Sequence, residues 1–214
     1  MIVIAIDGPA ASGKSSVSKR VAHHMGFSYV NSGTMYRAIT WELLRQFIDP
    51  TRTESVESAL ERMAFDSGFT ENGESYIRIN SQIPDLELRE SEVNEQVSCV
   101  SAIPAVRRIV SDRLHDLADK GSVVMEGRDI GTVVFPETPY KFYLDASPDI
   151  RRRRRAAEGQ TDSIERRDKI DSTRSHAPLQ IAPDAHVLDT SHLTLEDVVA
   201  KVIAHLVTTG LSPA

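Results

Sequence analysis

Residues 8 to 15 read Gly8-Pro9-Ala10-Ala11-Ser12-Gly13-Lys14-Ser15, and the apolar run Ile2-Val3-Ile4-Ala5-Ile6 leads into them through Asp7. The pattern G-x-x-x-x-G-K-[ST] is a phosphate-binding loop when a buried strand precedes it and a helix follows. Both conditions hold in the sequence. Val17, Val21 and Met25 recur every four residues, an apolar helical stripe that Gly26 ends. The turn therefore aims backbone N–H groups at one nucleotide polyphosphate. Lys14 reaches its outer phosphates, the Ser15 hydroxyl is placed for Mg²⁺, and the helix N-terminus adds partial positive charge.

Working outward, the chain alternates strands with helices. Residues 27–30 read as a second strand and 35–47 as a helix. Residues 91–119 are helical with a break at Pro104. Residues 123–126, 140–146 and 186–189 read as strands, an arginine-rich helix starts near Asp149, and Thr194 with Asp197 forms a capping box for a last helix. This alternation predicts an α/β fold of three layers, a mainly parallel sheet with helices on both faces. Residues 49–92 break the pattern. A helical piece at 56–63 precedes apparent strands at 65–66, 76–80 and 81–83, with Asn72-Gly73 as a hairpin signal. They predict a small β-rich insertion inside one domain spanning 1–214.

The 214 residues carry a net charge of -6, with nineteen Arg against six Lys. The acidic balance argues against a general nucleic-acid binder, while the arginine excess suits bidentate phosphate contacts. Cys99 is the lone cysteine, so a disulfide framework within the chain is excluded. The sequence opens on a core strand and no stretch reaches membrane-spanning length, so the expected compartment is the cytoplasm. Trp41 reads as packing, His23-His24 as a surface pair at a helix end, and Cys99 as a small packing residue.

In parallel sheets the site lies beyond the carboxyl ends of the strands. The phosphate loop, Asn31-Ser32-Gly33 and Gly127-Arg128-Asp129 all fall there. Arg37 and Arg128 can hold a phosphate acceptor from two sides, and an anionic acceptor oxygen needs little general-base help. The Asn-Lys-x-Asp guanine reader of GTPases does not occur. Residues 151–155 are all arginine. On a helix Arg151 and Arg155 share a face and Arg153 points away, so the run reads as a lid carrying arginines onto the phosphoryl group, with solvated helix and nucleic-acid contact as alternatives.

These motifs together resemble bacterial cytidylate kinases over essentially the whole length. The resemblance rests on residues 7–15, on Ser32-Gly33-Thr34-Met35-Tyr36-Arg37, and on Ser98-Cys99-Val100-Ser101-Ala102-Ile103-Pro104-Ala105-Val106-Arg107. It continues through Glu126-Gly127-Arg128-Asp129-Ile130-Gly131-Thr132-Val133-Val134-Phe135-Pro136, and Arg167-Asp168 with Asp171 and Arg174 before Ala177-Pro178-Leu179. It implies a P-loop kinase fold and transfer of the γ phosphoryl of ATP to CMP or dCMP with Mg²⁺, by a monomer that binds neither nucleic acid nor membrane. It implies an enlarged monophosphate-binding region at about 36–100 and a lid at about 150–165, with Gly159 as a hinge candidate.

It also implies roles. Gly8, Pro9, Ala10, Ala11, Ser12, Gly13, Lys14, Ser15 and Ser16 would surround ATP, with Ser15 on the metal. Ser32, Ser98, Arg107, Asp129 and Arg174 would surround cytosine, and Arg167 and Asp171 would meet the ribose. Tyr36, Arg37 and Arg128 would hold the α phosphate of CMP. Lys14, Arg128, Arg151, Arg154 and Arg155 would act in transfer. One departure stands out: Asn31 occupies a position where the family usually carries Asp. Competing expectations are a kinase for another acceptor, a nucleotide-dependent switch without turnover, and nucleic-acid binding through the arginine run.

Overall fold

In the computed structural model, which describes residues 1–159 and 163–212, five parallel strands form the central sheet. They are β1 (Val3–Asp7), β2 (Ser28–Asn31), β5 (Val123–Gly127), β6 (Tyr140–Asp145) and β7 (His186–Asp189), in the order β2-β5-β1-β6-β7. Side chains alternate across a strand, and β1 uses both faces. Val3 and Ala5 join the core under α2 (Ser32–Arg45) and α5 (Pro104–Asp119). Ile4 and Ile6 face α1 (Lys14–Met25) and α8 (Leu195–Thr208) on the other side. The first strand is buried throughout, as its unbroken apolar run requires.

Sheet register places the functional loops side by side. Asp7 pairs with Gly127 and with Tyr143, and Asn31 pairs with Glu126. Four strand ends therefore open onto one edge of the sheet.

The insertion contains α3 (Thr53–Leu60) and an antiparallel pair, β3 (Phe65–Phe69) with β4 (Ser75–Ile79). Its loop carries Gly73 at φ 73°, the left-handed position of a three-residue hairpin connection. The Gly73 carbonyl accepts the Tyr29 N–H at 2.8 Å, so the hairpin abuts the edge of the main sheet. Two details differ from the sequence reading. Residues 81–83 are not a strand: Asn80 and Ser81 both adopt positive φ, which ends the ladder, and only an isolated bridge joins Ile79 to Gln82. The expected loop after the second strand is also absent, because α2 begins at Ser32 and Asn31 caps it, accepting the Thr34 N–H at 3.1 Å.

Pro104 starts a new helix, separating α4 (Ser91–Ala102) from α5. The arginine run lies on α6 (Pro148–Ala157), followed by α7 (Ile164–Thr173). The capping box at Thr194 and Asp197 forms as expected. Trp41 packs partly buried against the core, with the Arg45 guanidinium 5.5 Å from its ring. Among the described residues no helix is long and apolar enough to cross a membrane. Gly159 lies at φ 71° with open space around it, while Gln160, its neighbour in the expected hinge, lies outside the described residues.

Candidate active site

The phosphate loop turns on a glycine that nothing else can replace. Gly8 sits at φ 148°, and a Cβ there would lie 2.0 Å from the Leu144 carbonyl oxygen of β6. Ala11, without that freedom, also adopts a left-handed φ of 58°, a conformation that costs a non-glycine residue about 1 kcal/mol. Lys14 is buried at 6% exposure and donates to the Pro9 carbonyl at 2.6 Å. Burial pulls its pKa down to about 7, and the nearby Arg128 pulls in the same direction. The ammonium thus stands over the loop, held by its own main chain.

Beneath the loop, Asp7 accepts the N–H groups of Ile130 at 2.9 Å and Gly131 at 2.7 Å. These residues start a π-helical turn, Ile130–Val134. Burial raises Asp7 to about 6, against the pull of the two amide hydrogen bonds. The turn is the folded form of the Asp-Ile-Gly-Thr-Val-Val string, and Asp7 anchors it to the first strand.

One cleft runs from the phosphate loop to the start of α5. Its walls include residues 10–16 of the loop together with Ser32, Tyr36, Arg37, Ser98, Arg107, Arg128, Asp129, Arg155, Arg167, Asp171 and Arg174. Every residue proposed for the acceptor lines it. Near the loop the cleft is a guanidinium cluster. Loss of solvent, then the neighbouring Arg167, Arg128 and Arg155, push Arg37 down to about 9, still protonated at neutral pH. Among the described residues Arg37 forms no ion pair. Four like charges converging on one space constitute an anion site.

Farther along, charge is balanced. Asp129 receives a hydrogen bond from Arg107 and lies 3.7 Å from Arg174, while Asp171 accepts Arg128 Nε at 3.1 Å and lies 3.8 Å from Arg174. Arg107 also donates to the Ser101 carbonyl at 3.1 Å and covers the Tyr36 ring. Burial raises the Tyr36 hydroxyl pKa, keeping it neutral and able to donate.

Two of the proposed transfer arginines stand outside this cleft. Arg151 is buried behind the loop, donating to the Ala10 carbonyl at 3.2 Å and pairing with Asp168. Arg154 donates to Thr190, to its hydroxyl at 2.9 Å and its carbonyl at 2.7 Å. With Val17, Leu193, Leu195 and Val198 it lines a second, more apolar cavity on the outer side of the loop. Arg155 lines the cleft, and the other two arginines of the run lie at the surface: Arg153 is exposed and Arg152 bridges Asp149 and Glu165.

Three participants carry no role assigned from the sequence, although Glu126 and Asp168 fall within the motifs that carry the resemblance. Glu126, 3% exposed, lines the cleft and receives the Tyr29 hydroxyl. Tyr29 in turn accepts the Asn31 amide at 3.2 Å. Asp168 grips the phosphate loop from α7. For Glu126 the signal was present, an acid at the end of a buried strand directly before Gly-Arg-Asp; for Tyr29 and Asp168 only the assembled fold reveals the contact.

Residues 4–208 match the cytidylate kinase family. A cytidylate kinase of Mycolicibacterium paratuberculosis is 43% identical, covering 96% of this chain and 93% of that protein. One from Solibacter usitatus is 39% identical, covering 98% and 95%. Among solved structures, a sugar kinase from Janibacter sp. HTCC2649 shares the fold alone, with a TM-score of 0.50 at 13% identity over 100% of this chain and 96% of that one. On the family match and these identities, the chain belongs to the cytidylate kinase family.

Proposed function

We propose that the chain moves the γ phosphoryl of ATP to CMP and dCMP, giving ADP with CDP or dCDP. The observation that carries this reading is the single cleft in which the phosphate loop and four converging arginines meet, with an acid-and-arginine frame at its far end. Main-chain amides of the loop hold the donor's phosphates, and Lys14 exchanges the Pro9 carbonyl for a phosphate oxygen. The second cavity, apolar and beside the loop, suits the donor's base.

The acceptor phosphate sits among Arg37, Arg128, Arg155 and Arg167, which cancel repulsion between two polyanions and align the attacking oxygen. That oxygen is already anionic, so no residue needs to remove a proton. Asp129 accepts from the cytosine amino group, while Arg107 and Arg174 donate to its ring acceptors. Arg167 and Asp171 stand at the ribose, where accepting both CMP and dCMP requires no obligatory 2′-hydroxyl contact.

Mg²⁺ suits the donor end. This ion favours one or two protein oxygens plus phosphate oxygens and water, and the Ser15 hydroxyl, with the Glu126 carboxylate lining the same cleft, offers such a set. When bound, the ion neutralises charge on the β and γ oxygens. One chain lines the whole cleft, which supports a monomeric working unit, and dependence on ATP fits a cytoplasmic setting.

The test is ADP release with CMP, dCMP, UMP and AMP at equal concentration. CMP and dCMP should dominate; preference for AMP, or ADP release that ignores the acceptor, overturns the reading.

A further inference from the structure

Helix α7 presents two working faces. Arg167, Asp171 and Arg174 recur at helical spacing and line the acceptor end of the cleft. Asp168, about 100° round the same helix, leaves the cleft and reaches the phosphate loop. Its Oδ1 accepts the Ala10 N–H at 3.4 Å, and its Oδ2 pairs with Arg151. Arg151 donates to the Ala10 carbonyl at 3.2 Å and, through Nε, to the Ala146 carbonyl at 3.0 Å at the end of β6. One peptide residue is thus bracketed on both its N–H and its C=O side. The next residue is Ala11, whose left-handed backbone must be held by its surroundings.

Resting on the functional reading above, we infer that Asp168 and Arg151 are positioning residues that couple the two nucleotide sites, so that an acceptor bound on one face of α7 fixes the phosphate loop through the other. The physical link is short. An acceptor held by Arg167, Asp171 and Arg174 sets where α7 sits, α7 sets the Asp168 carboxylate, and the carboxylate with Arg151 sets the orientation of the Ala10 peptide. The loop geometry that grips a polyphosphate is then favoured when the acceptor is present. Neither residue touches a reacting atom. Arg151 in this role acts from behind the loop rather than from a lid above it. Such coupling is reciprocal: whatever factor CMP applies to donor binding, the donor applies to CMP.

The experiment uses the full chain, β,γ-imido-ATP as a non-transferring donor probe, and CMP. Dissociation constants are measured by titration calorimetry for each nucleotide alone and in the presence of the other. In the wild type, CMP should tighten the donor probe by at least about fivefold, and the probe should tighten CMP by the same factor. Asp168→Asn is isosteric but accepts from only one partner. It should bring that factor to within about twofold of unity while CMP alone binds within about threefold of wild type. Arg151→Lys keeps the charge and loses the fork, so it should have the same effect and carries the test if Asp168→Asn folds poorly. A wild-type factor near unity, variants that keep the wild-type factor, or variants that lose CMP binding itself would each overturn the inference. CMP-dependent ADP formation with an unchanged factor sinks only this inference. Failure of the wild type to bind CMP sinks the functional reading and this one with it.

Discussion

On the proposed function, the two ends of the cleft solve the same problem, holding a phosphate, with different materials. The donor end is main chain: a loop whose shape comes from Gly8, Ala11 and Gly13 at positive φ, plus one buried lysine. The acceptor end is side chain, with arginines and aspartates from α2, α5, the turn after β5 and α7. A main-chain grip ignores most side-chain identities along the loop and fails where the backbone cannot follow. A side-chain grip reads chemical detail but leaves charges stranded when one partner is removed. The contrast teaches where each end is vulnerable.

The donor end has one irreplaceable side chain, so Lys14→Ala is the sharpest way to break it. Transfer should fall about 10³-fold. Removing the residue relieves the desolvation that lowers its pKa but leaves the Pro9 carbonyl without its donor. The measurement is kcat beside a melting curve. Retained activity would mean that the backbone grip suffices alone.

Asp129→Ala should break the acceptor end differently. Arg107 and Arg174 then face each other without their shared carboxylate. The kcat/KM for CMP should drop by roughly 10²- to 10³-fold. The KM for ATP should stay within about twofold, because no Asp129 contact reaches the loop. Equal damage to both substrates would erase the distinction between the two ends.

That distinction also explains what the sequence made legible. The donor end is contiguous, so eight residues and their flanking periodicity announced it. The helix start at Pro104 and the cap at Thr194 followed from a break and a capping box for the same local reason. The acceptor frame is spread from Ser32 to Arg174, and spacing alone offered only the arginines after strand ends. Its base-reading members came from resemblance. Arg151 shows the limit. In sequence it shares a helix face with Arg155; in the fold it is buried against Ala10, while Arg152 and Arg153, about 100° and 200° farther round, face solvent. Tyr29 and Asp168 reach partners 97 and 158 residues away in the chain, a separation that no local pattern records.

Asp7 lies under both ends, and its contribution is visible in pH. Its folded pKa is raised from 3.8 to about 6 by burial. Between these values the folded state binds more protons than the unfolded chain, so stability falls as pH rises through that window and the burial cost is fully present above it. The cost approaches about 3 kcal/mol at most. Melting midpoints across pH 4 to 7 should fall for the wild type relative to Asp7→Asn, which carries no charge to desolvate. Asparagine accepts only one of the two amides that Asp7 holds, so the variant starts from a lower stability. Parallel curves would show that Asp7 does not titrate in this range.

The smallest effect concerns the boundary between the ends. Asn31 caps α2 through Oδ1 and donates through its amide to the Tyr29 hydroxyl, whose own proton goes to Glu126. An aspartate here would cap equally well but has no proton to give. Tyr29 would then face two carboxylates with one hydrogen. Asn31→Asp should therefore cost about 1 kcal/mol of stability without nucleotide. If Ser15 holds Mg²⁺ as proposed, the added negative charge should also lower the Mg²⁺ concentration for half-maximal rate by a few-fold, roughly 1 kcal/mol. The two shifts have opposite signs, and Tyr29→Phe separates them. Without the hydroxyl the hydrogen-bond conflict vanishes, so Asn31→Asp in that background should keep the Mg²⁺ effect and lose most of the stability loss. If the melting difference persists in the Phe background, the cost arises from charge beside Glu126 rather than from the shared proton.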